Sequence, residues 1–125
     1  MNVVDSSAWL EYLAGGGNAN FFAAAIENVE ELIVPTLSLY EVFKRVMQQR
    51  TEGEALQVAA VMRQGQVVDL DGMIALSAAR LSLEHRLPMA DSVMLATARE
   101  YSAVFWTQDS HFEAIAEVRY KNVSD

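Results

Sequence analysis

Short runs of apolar, often β-branched residues alternate along the chain with longer stretches whose apolar positions recur at helical spacing. "MNVVD" (1–5) reads as a strand, and Ser6 and Ser7 follow it with hydroxyls suited to cap a helix over "AWLEYL". "AGGGN" (14–18) is a glycine-rich loop, "ANFFAAAIENVE" returns to helical composition, and "LIVP" predicts a buried strand ended by Pro35. Leu39, Val42, Phe43, Val46 and Met47 then predict a helix from Ser38 to Arg50, with Lys44, Arg45 and Arg50 at its later end, where cations suit the helix dipole. Beyond it follow a helix over "EGEALQVAAVMRQ", a strand "QVVDL" and a helix "DGMIALSAARLSLEHR" opened by Asp71 as cap. Next come a helix beginning at "LPMADSVMLATA", a strand "AVFW", a short helix "SHFEAIA" and a last strand "VRYKN". Strands separated by helical stretches predict an α/β fold, a mainly parallel sheet covered by helices on both faces, as one domain over residues 1–125. In such sheets the site lies beyond the carboxyl ends of the strands.

Composition narrows the chemistry. With 52% hydrophobic and 21% charged residues in 125, the chain can bury a real core. It has no uninterrupted apolar run of the ~18 residues a membrane span needs, and no basic segment precedes the first apolar stretch, so a cytoplasmic protein is expected. Cysteine is absent and only His85 and His111 are present, so a metal is expected to be a hard cation held by oxygen. Both histidines read as surface residues, His85 at a helix end and His111 in the first turn of the last helix. The net charge of −8, with nine lysines and arginines, counts against nucleic-acid binding unless cations intervene.

Four carboxylates stand at corresponding places beside apolar runs. Asp5 ends the first strand, Glu41 and Asp91 lie in the first turns of helices, and Asp109 follows "AVFWT". In a parallel sheet all four fall at one edge, where they would repel and raise one another's pKa unless a divalent cation occupied the cluster. Magnesium or manganese suits such a site and can activate water against a phosphodiester. Each acid also has a plainer reading. Ser38 and Glu41 spell S-x-x-E, a capping box, and the three aspartates are ordinary cap or turn formers.

The segments "VVDSSAWLEYL", "LSLYEVFKRV", "LPMADSVMLATA" and "FWTQDSHFEAI" resemble, in order and spacing, the four acidic motifs of PIN-domain ribonucleases, specifically the VapC toxins of VapBC toxin-antitoxin pairs. The resemblance covers essentially the whole chain. It implies a PIN-like three-layer sandwich and an endoribonuclease whose quartet Asp5, Glu41, Asp91 and Asp109 holds one or two Mg2+ or Mn2+ ions. Thr107 and Ser6 match positions where the family often has a supporting hydroxyl. The resemblance further implies an RNA substrate, a cognate antitoxin protein and a homodimer. RNA contacts would fall to Lys44, Arg45, Arg50 and Arg86, with Arg99 and Lys121 behind them, although each also reads as part of a solvated helix face.

Two rivals remain. "VVDLDGMI" (67–74) looks like the nucleophile motif of haloacid-dehalogenase-type phosphatases, with Asp69 attacking and Asp71 as acid and base, but Met73 departs from that motif and too little chain follows it. Asp71 reads better as a helix cap. The other is a catalytically inactive PIN-fold module that only binds protein. For that role, or for an antitoxin or dimer contact, "AWLEYL" and "NFFAAAI" predict amphipathic helices with exposed aromatic residues such as Phe21.

Overall fold

The computed structural model describes residues 1–123. Five strands, β1 (Asn2–Val4), β2 (Leu32–Pro35), β3 (Gln66–Val68), β4 (Val104–Thr107) and β5 (Val118–Tyr120), form one sheet in the order β3-β2-β1-β4-β5. Every pairing is parallel, with Val3 beside Ile33 on one flank and Phe105 on the other. The helices are α1 (Ser6–Leu13), α2 (Ala19–Ile26), α3 (Thr36–Gln49), α4 (Glu52–Met62), α5 (Gly72–His85) and α6 (Met89–Glu100).

Because successive strand residues point to opposite faces, the short apolar runs feed two cores. Val3, Ile33 and Phe105 pack with Ile74, Leu81 and Met94 of α5 and α6. Their neighbours Val4, Val34 and Trp106 pack with Trp9, Phe22 and Val42 of α1 to α3. The three layers expected from the strand-helix alternation are therefore present. Seven consecutive residues of α6, Ser92 to Ala98, are buried, which explains its small, apolar composition: the helix is enclosed by α5, α3 and the sheet. Burial of each large side chain here, such as Met94, stabilises by about 1.5–3 kcal/mol.

Several local expectations are corrected. Ser6 and Ser7 do not cap α1. They lie inside its first turn, and Asp5 is the N-cap residue without a side-chain capping bond. Helix α3 begins at Thr36, directly after Pro35, so Ser38 is interior and fully buried, and no Ser38–Glu41 capping box forms. "SHFEAIA" forms only a single 3-10 turn, Ser110–Phe112. The segment from Gln108 to Glu117 must carry the chain from the end of β4 back to the start of β5, parallel beside it, and the left-handed Glu117 (φ 72°) makes the final reversal. Such a crossover ordinarily takes a dozen or more residues, so the few available leave no room for a helix.

The aromatic residues of α1 and α2 are also not an exposed face. Trp9 and Phe22 are fully buried, and Phe21 is half-buried with its ring 5.2 Å from those of Phe22 and Trp106. They fill the core on that side of the sheet. Large exposed apolar side chains instead occur on α3 and α4 (Tyr40, Met47, Leu56) and along α5 (Met73, Leu76, Leu83).

Candidate metal centre

The strand order reverses at β1, which has β2 on one side and β4 on the other, and the crevice beyond the carboxyl ends of β1 and β4 is where open parallel sheets place their sites. Asp5 stands there because β1 passes into α1 with no intervening loop. Its N–H donates to the Trp106 carbonyl at 2.9 Å, extending the β1–β4 ladder, and its carbonyl accepts the first helical bond from Trp9 at 3.0 Å. The side chain is left free to face the crevice. Thr107 ends β4 in the adjacent position.

Asp5, Glu41, Asp91 and Asp109 all line one open cleft of about 370 Å3, together with Ser6, Ser7, Lys44 and Arg45. Four separate elements thus deliver four carboxylates to one place. Asp91 occupies the first turn of α6, where the helix dipole favours a negative charge, and the burial of the rest of that helix fixes it. Asp109 follows β4 and caps the 3-10 turn, accepting from the His111 N–H at 2.9 Å. Glu41 comes from the second turn of α3 and accepts a hydrogen bond from the Ser6 hydroxyl at 2.8 Å.

Thr107 organises the centre. Its hydroxyl donates to Asp5 Oδ2 at 2.8 Å and accepts from the Asp109 N–H at 2.9 Å, coupling two of the acids through one buried side chain. Ser7 donates to the same Asp5 oxygen at 3.0 Å. Both hydroxyls expected to support the site, Ser6 and Thr107, therefore touch quartet members, and Ser7 joins them.

The electrostatics match a crowded anionic site. Burial pushes the Asp5 carboxyl up to about 7, with Asp91 and Asp109 adding to the rise and the Thr107 and Ser7 hydrogen bonds opposing it. Asp91 is raised above the ordinary carboxylate range by its burial and by Asp109, against the hydrogen bond and charge of His111. Among the described residues, no lysine or arginine forms an ion pair with any of the four acids. A hard divalent cation fits this donor set: carboxylate oxygens in excess, hydroxyls behind them, and, among the described residues, no lysine or arginine paired with them.

One residue outside the four acids, not legible as a ligand in the sequence, also touches them. His111 Nδ1 lies 3.1 Å from Asp109 Oδ1 and 3.4 Å from Asp91 Oδ2. Its ring is 55% exposed, as a surface residue would be, yet it completes a triad with the two aspartates whose ligand atoms lie within 4.8 Å of one another. The spacing D-x-H in a tight turn was the available signal, since a residue two beyond a turn-capping aspartate returns to the same side.

Of the cationic residues, Lys44 and Arg45 line the cleft. Arg50 lies farther along, in a second cavity of about 640 Å3 between α1, α3 and α4 that shares Ser7, Leu10 and Arg45 with the first. Arg86 is the left-handed C-cap of α5 and does not line the cleft. Arg99 sits in the last turn of α6, at the far end of the helix from Asp91, and Lys121 stands over the Phe21 ring at 5.8 Å. Asp69 is exposed past the edge strand β3, and Asp71 caps α5 by accepting from the Ile74 N–H at 2.9 Å, so neither belongs to the cleft and the phosphatase reading has no support in the geometry.

Comparison with known proteins agrees with this architecture. The PIN domain family model matches residues 3–118, and the chain belongs to the PIN domain family. Its fold is that of solved toxin-antitoxin proteins. A toxin-antitoxin complex from Klebsiella pneumoniae superimposes with a TM-score of 0.79 at 18% identity, covering 94% of this chain and 95% of that one. VapC20 of Mycobacterium tuberculosis, a sarcin-ricin loop cleaving toxin, gives 0.77 at 16% identity over 95% and 98%. A DNA-bound VapBC from Salmonella typhimurium gives 0.74 at 15% identity over 97% and 96%. No curated protein matches the chain in sequence.

Proposed function

We propose that this chain is a Mg2+- or Mn2+-dependent endoribonuclease of the VapC type, the toxin of a toxin-antitoxin pair. The observation that carries the reading is the convergence of Asp5, Glu41, Asp91 and Asp109, from four separate elements, on a single cleft at the carboxyl edge of the sheet. Those four residues would hold one or two divalent cations, which when bound lower the pKa of a coordinated water and stabilise charge developing on a phosphodiester.

The chain's own groups do the rest. Thr107 and Ser7 hold the Asp5 carboxylate in one orientation, and Ser6 holds Glu41 across from it. Lys44 and Arg45 flank the acids at the mouth of the cleft and attract the phosphates on either side of the bond to be cut. The substrate is RNA, cleaved to leave 5′-phosphate and 3′-hydroxyl ends.

The same reading includes a cytoplasmic protein acting as one domain, a homodimer and a cognate antitoxin. It is supported by the apolar face of α5 at Met73, Leu76 and Leu83, by the cavity that continues from the cleft between α1, α3 and α4, and by the toxin-antitoxin complexes of similar fold. No helix of the described residues is long and apolar enough to cross a membrane.

The test has two stages, because a negative cleavage assay with the wrong RNA is uninformative. Wild type and Asp91→Asn are melted with and without Mn2+. Wild type is expected to gain stability with ion concentration, and the variant to lose most of that gain. Total RNA is then incubated with each protein, with Mn2+ or with chelator, and new 5′-phosphate ends are mapped. Equal metal shifts in both proteins would refute the metal centre and favour a module that only binds protein.

A further inference from the structure

We infer that His111 is a nitrogen ligand of the cation held by Asp91 and Asp109, and that it turns an all-oxygen site into one preferring Mn2+ over Mg2+. The inference rests on the metal-centre reading above and adds a residue outside the acidic quartet.

The geometry is the first argument. Adjacent ligands of an octahedral ion at about 2.1 Å lie about 3.0 Å apart. His111 Nδ1 stands 3.1 Å from Asp109 Oδ1 and 3.4 Å from Asp91 Oδ2, spacings that match octahedral edges with little adjustment. Nδ1 lies at hydrogen-bonding distance from the Asp91 oxygen and at ion-pairing distance from the Asp109 oxygen, so both carboxylates converge on one nitrogen. Three potential ligand atoms from three residues thus lie within 4.8 Å of one another, close enough to share one ion.

The local backbone is the second. The Asp109 side chain caps the 3-10 turn by accepting the His111 N–H, which locks the two residues to the same face of the turn. Phe112 is fully buried, with its ring 4.8 Å from that of Phe105, and this anchors the turn to the core. The imidazole is thus held over the acids by its own backbone, while its outer edge stays open to solvent. With an ion bound, the neutral ring would ligate through Nδ1 and carry its proton on Nε2.

The chemistry follows from ligand type. Carboxylate oxygens serve Mg2+ and Mn2+ alike, whereas an imidazole nitrogen favours the transition ion and contributes little to strongly hydrated Mg2+. Removing it should therefore cost the two ions unequally.

The experiment reads binding rather than turnover. Mn2+ and Mg2+ affinities are measured by calorimetry for wild type, His111→Ala and His111→Gln, and electron spin-echo spectra of bound Mn2+ are recorded for wild type and His111→Ala. The expected result is a loss of Mn2+ affinity of about 10- to 100-fold in both variants, with Mg2+ affinity changed less than about threefold. A directly coupled 14N signal should appear in wild type and vanish in His111→Ala, which also excludes His85 as its source. Mn2+ bound without nitrogen coupling, or equal losses for both ions, would overturn the assignment and leave His111 as a hydrogen-bonding partner of the aspartates. Absence of Mn2+ binding in wild type would overturn the metal centre itself along with it.

Discussion

Asp5→Asn should make the metal-free protein more stable at alkaline pH. The Asp5 carboxyl ionises near 3.8 in an unfolded chain and near 7 in the fold, chiefly because it is buried. Below about pH 4 both states are protonated and the contribution of this group to stability is complete. Between pH 4 and 7 the unfolded chain releases its proton while the fold retains it, so stability falls as pH rises, and above 7 the loss is constant. The interval corresponds to at most about 4 kcal/mol. An amide resembles the protonated acid in shape, but its single oxygen accepts the Thr107 and Ser7 hydroxyls more weakly than a carboxylate does, which removes roughly 1–2 kcal/mol. The variant should therefore exceed wild type by about 2 kcal/mol at pH 8, equivalent to a Tm higher by about 8 °C for a domain of this size. Thermal melts in chelator at pH 5, 6, 7 and 8 measure it. Wild-type Tm should decline across the series through the Asp5 contribution, and the variant should decline less. A variant that melts below wild type at pH 8, with a parallel pH profile, would refute the account of Asp5 as a buried charge awaiting a counter-ion.

Other predictions follow from the same contacts. Thr107→Val, nearly isosteric, removes the donor to Asp5 and the acceptor for the Asp109 N–H. It should destabilise by about 2–3 kcal/mol in denaturant titration and weaken Mn2+ binding, since two ligands lose their common support. Lys44→Ala and Arg45→Ala should each weaken RNA binding to an uncleavable mimic and reduce the slope of log affinity against log salt by about 0.7, while Arg99→Ala changes neither. Gly65→Ala would place a Cβ 2.9 Å from the Leu32 carbonyl oxygen at the entry to β3 and should lower stability by about 1–3 kcal/mol, read as a reduced denaturation midpoint.

The pattern of apolar runs was sufficient to locate the five strands and six helices of the described residues, because the central strands alternate their residues between two cores and the helices other than the enclosed α6 bury one stripe. What it could not fix was the behaviour of segments whose form is imposed from elsewhere. "SHFEAIA" has helical composition, but Phe112 must reach Phe105 and the chain must arrive at β5 within a few residues, so the connection overrides propensity. Ser38 looked like a cap because S-x-x-E is a local motif. Pro35 ends β2 and starts α3 at once, and this moved the true boundary upstream. Phe21 and Phe22 looked like a binding face because a single helix cannot reveal which of its sides meets a sheet. At the site, the convergence of the four acids was readable since Asp5 and Asp109 follow strands and Glu41 and Asp91 lie in the early turns of helices. His111 was not, because its significance lies in a turn three residues long.

The sheet order has a consequence for how the protein comes into being. Asp5 is the first site residue to be synthesised, but β1 lies in the interior of the sheet and needs β4, made about a hundred residues later, before its second edge is paired. At roughly 5–20 residues per second, several seconds separate Glu41 from Asp109 on the ribosome. Throughout that interval the nascent chain has no closed cleft and no complete set of carboxylates. For a protein whose proposed activity is to cut RNA, the topology delays that activity until β4 and Asp109 have been translated.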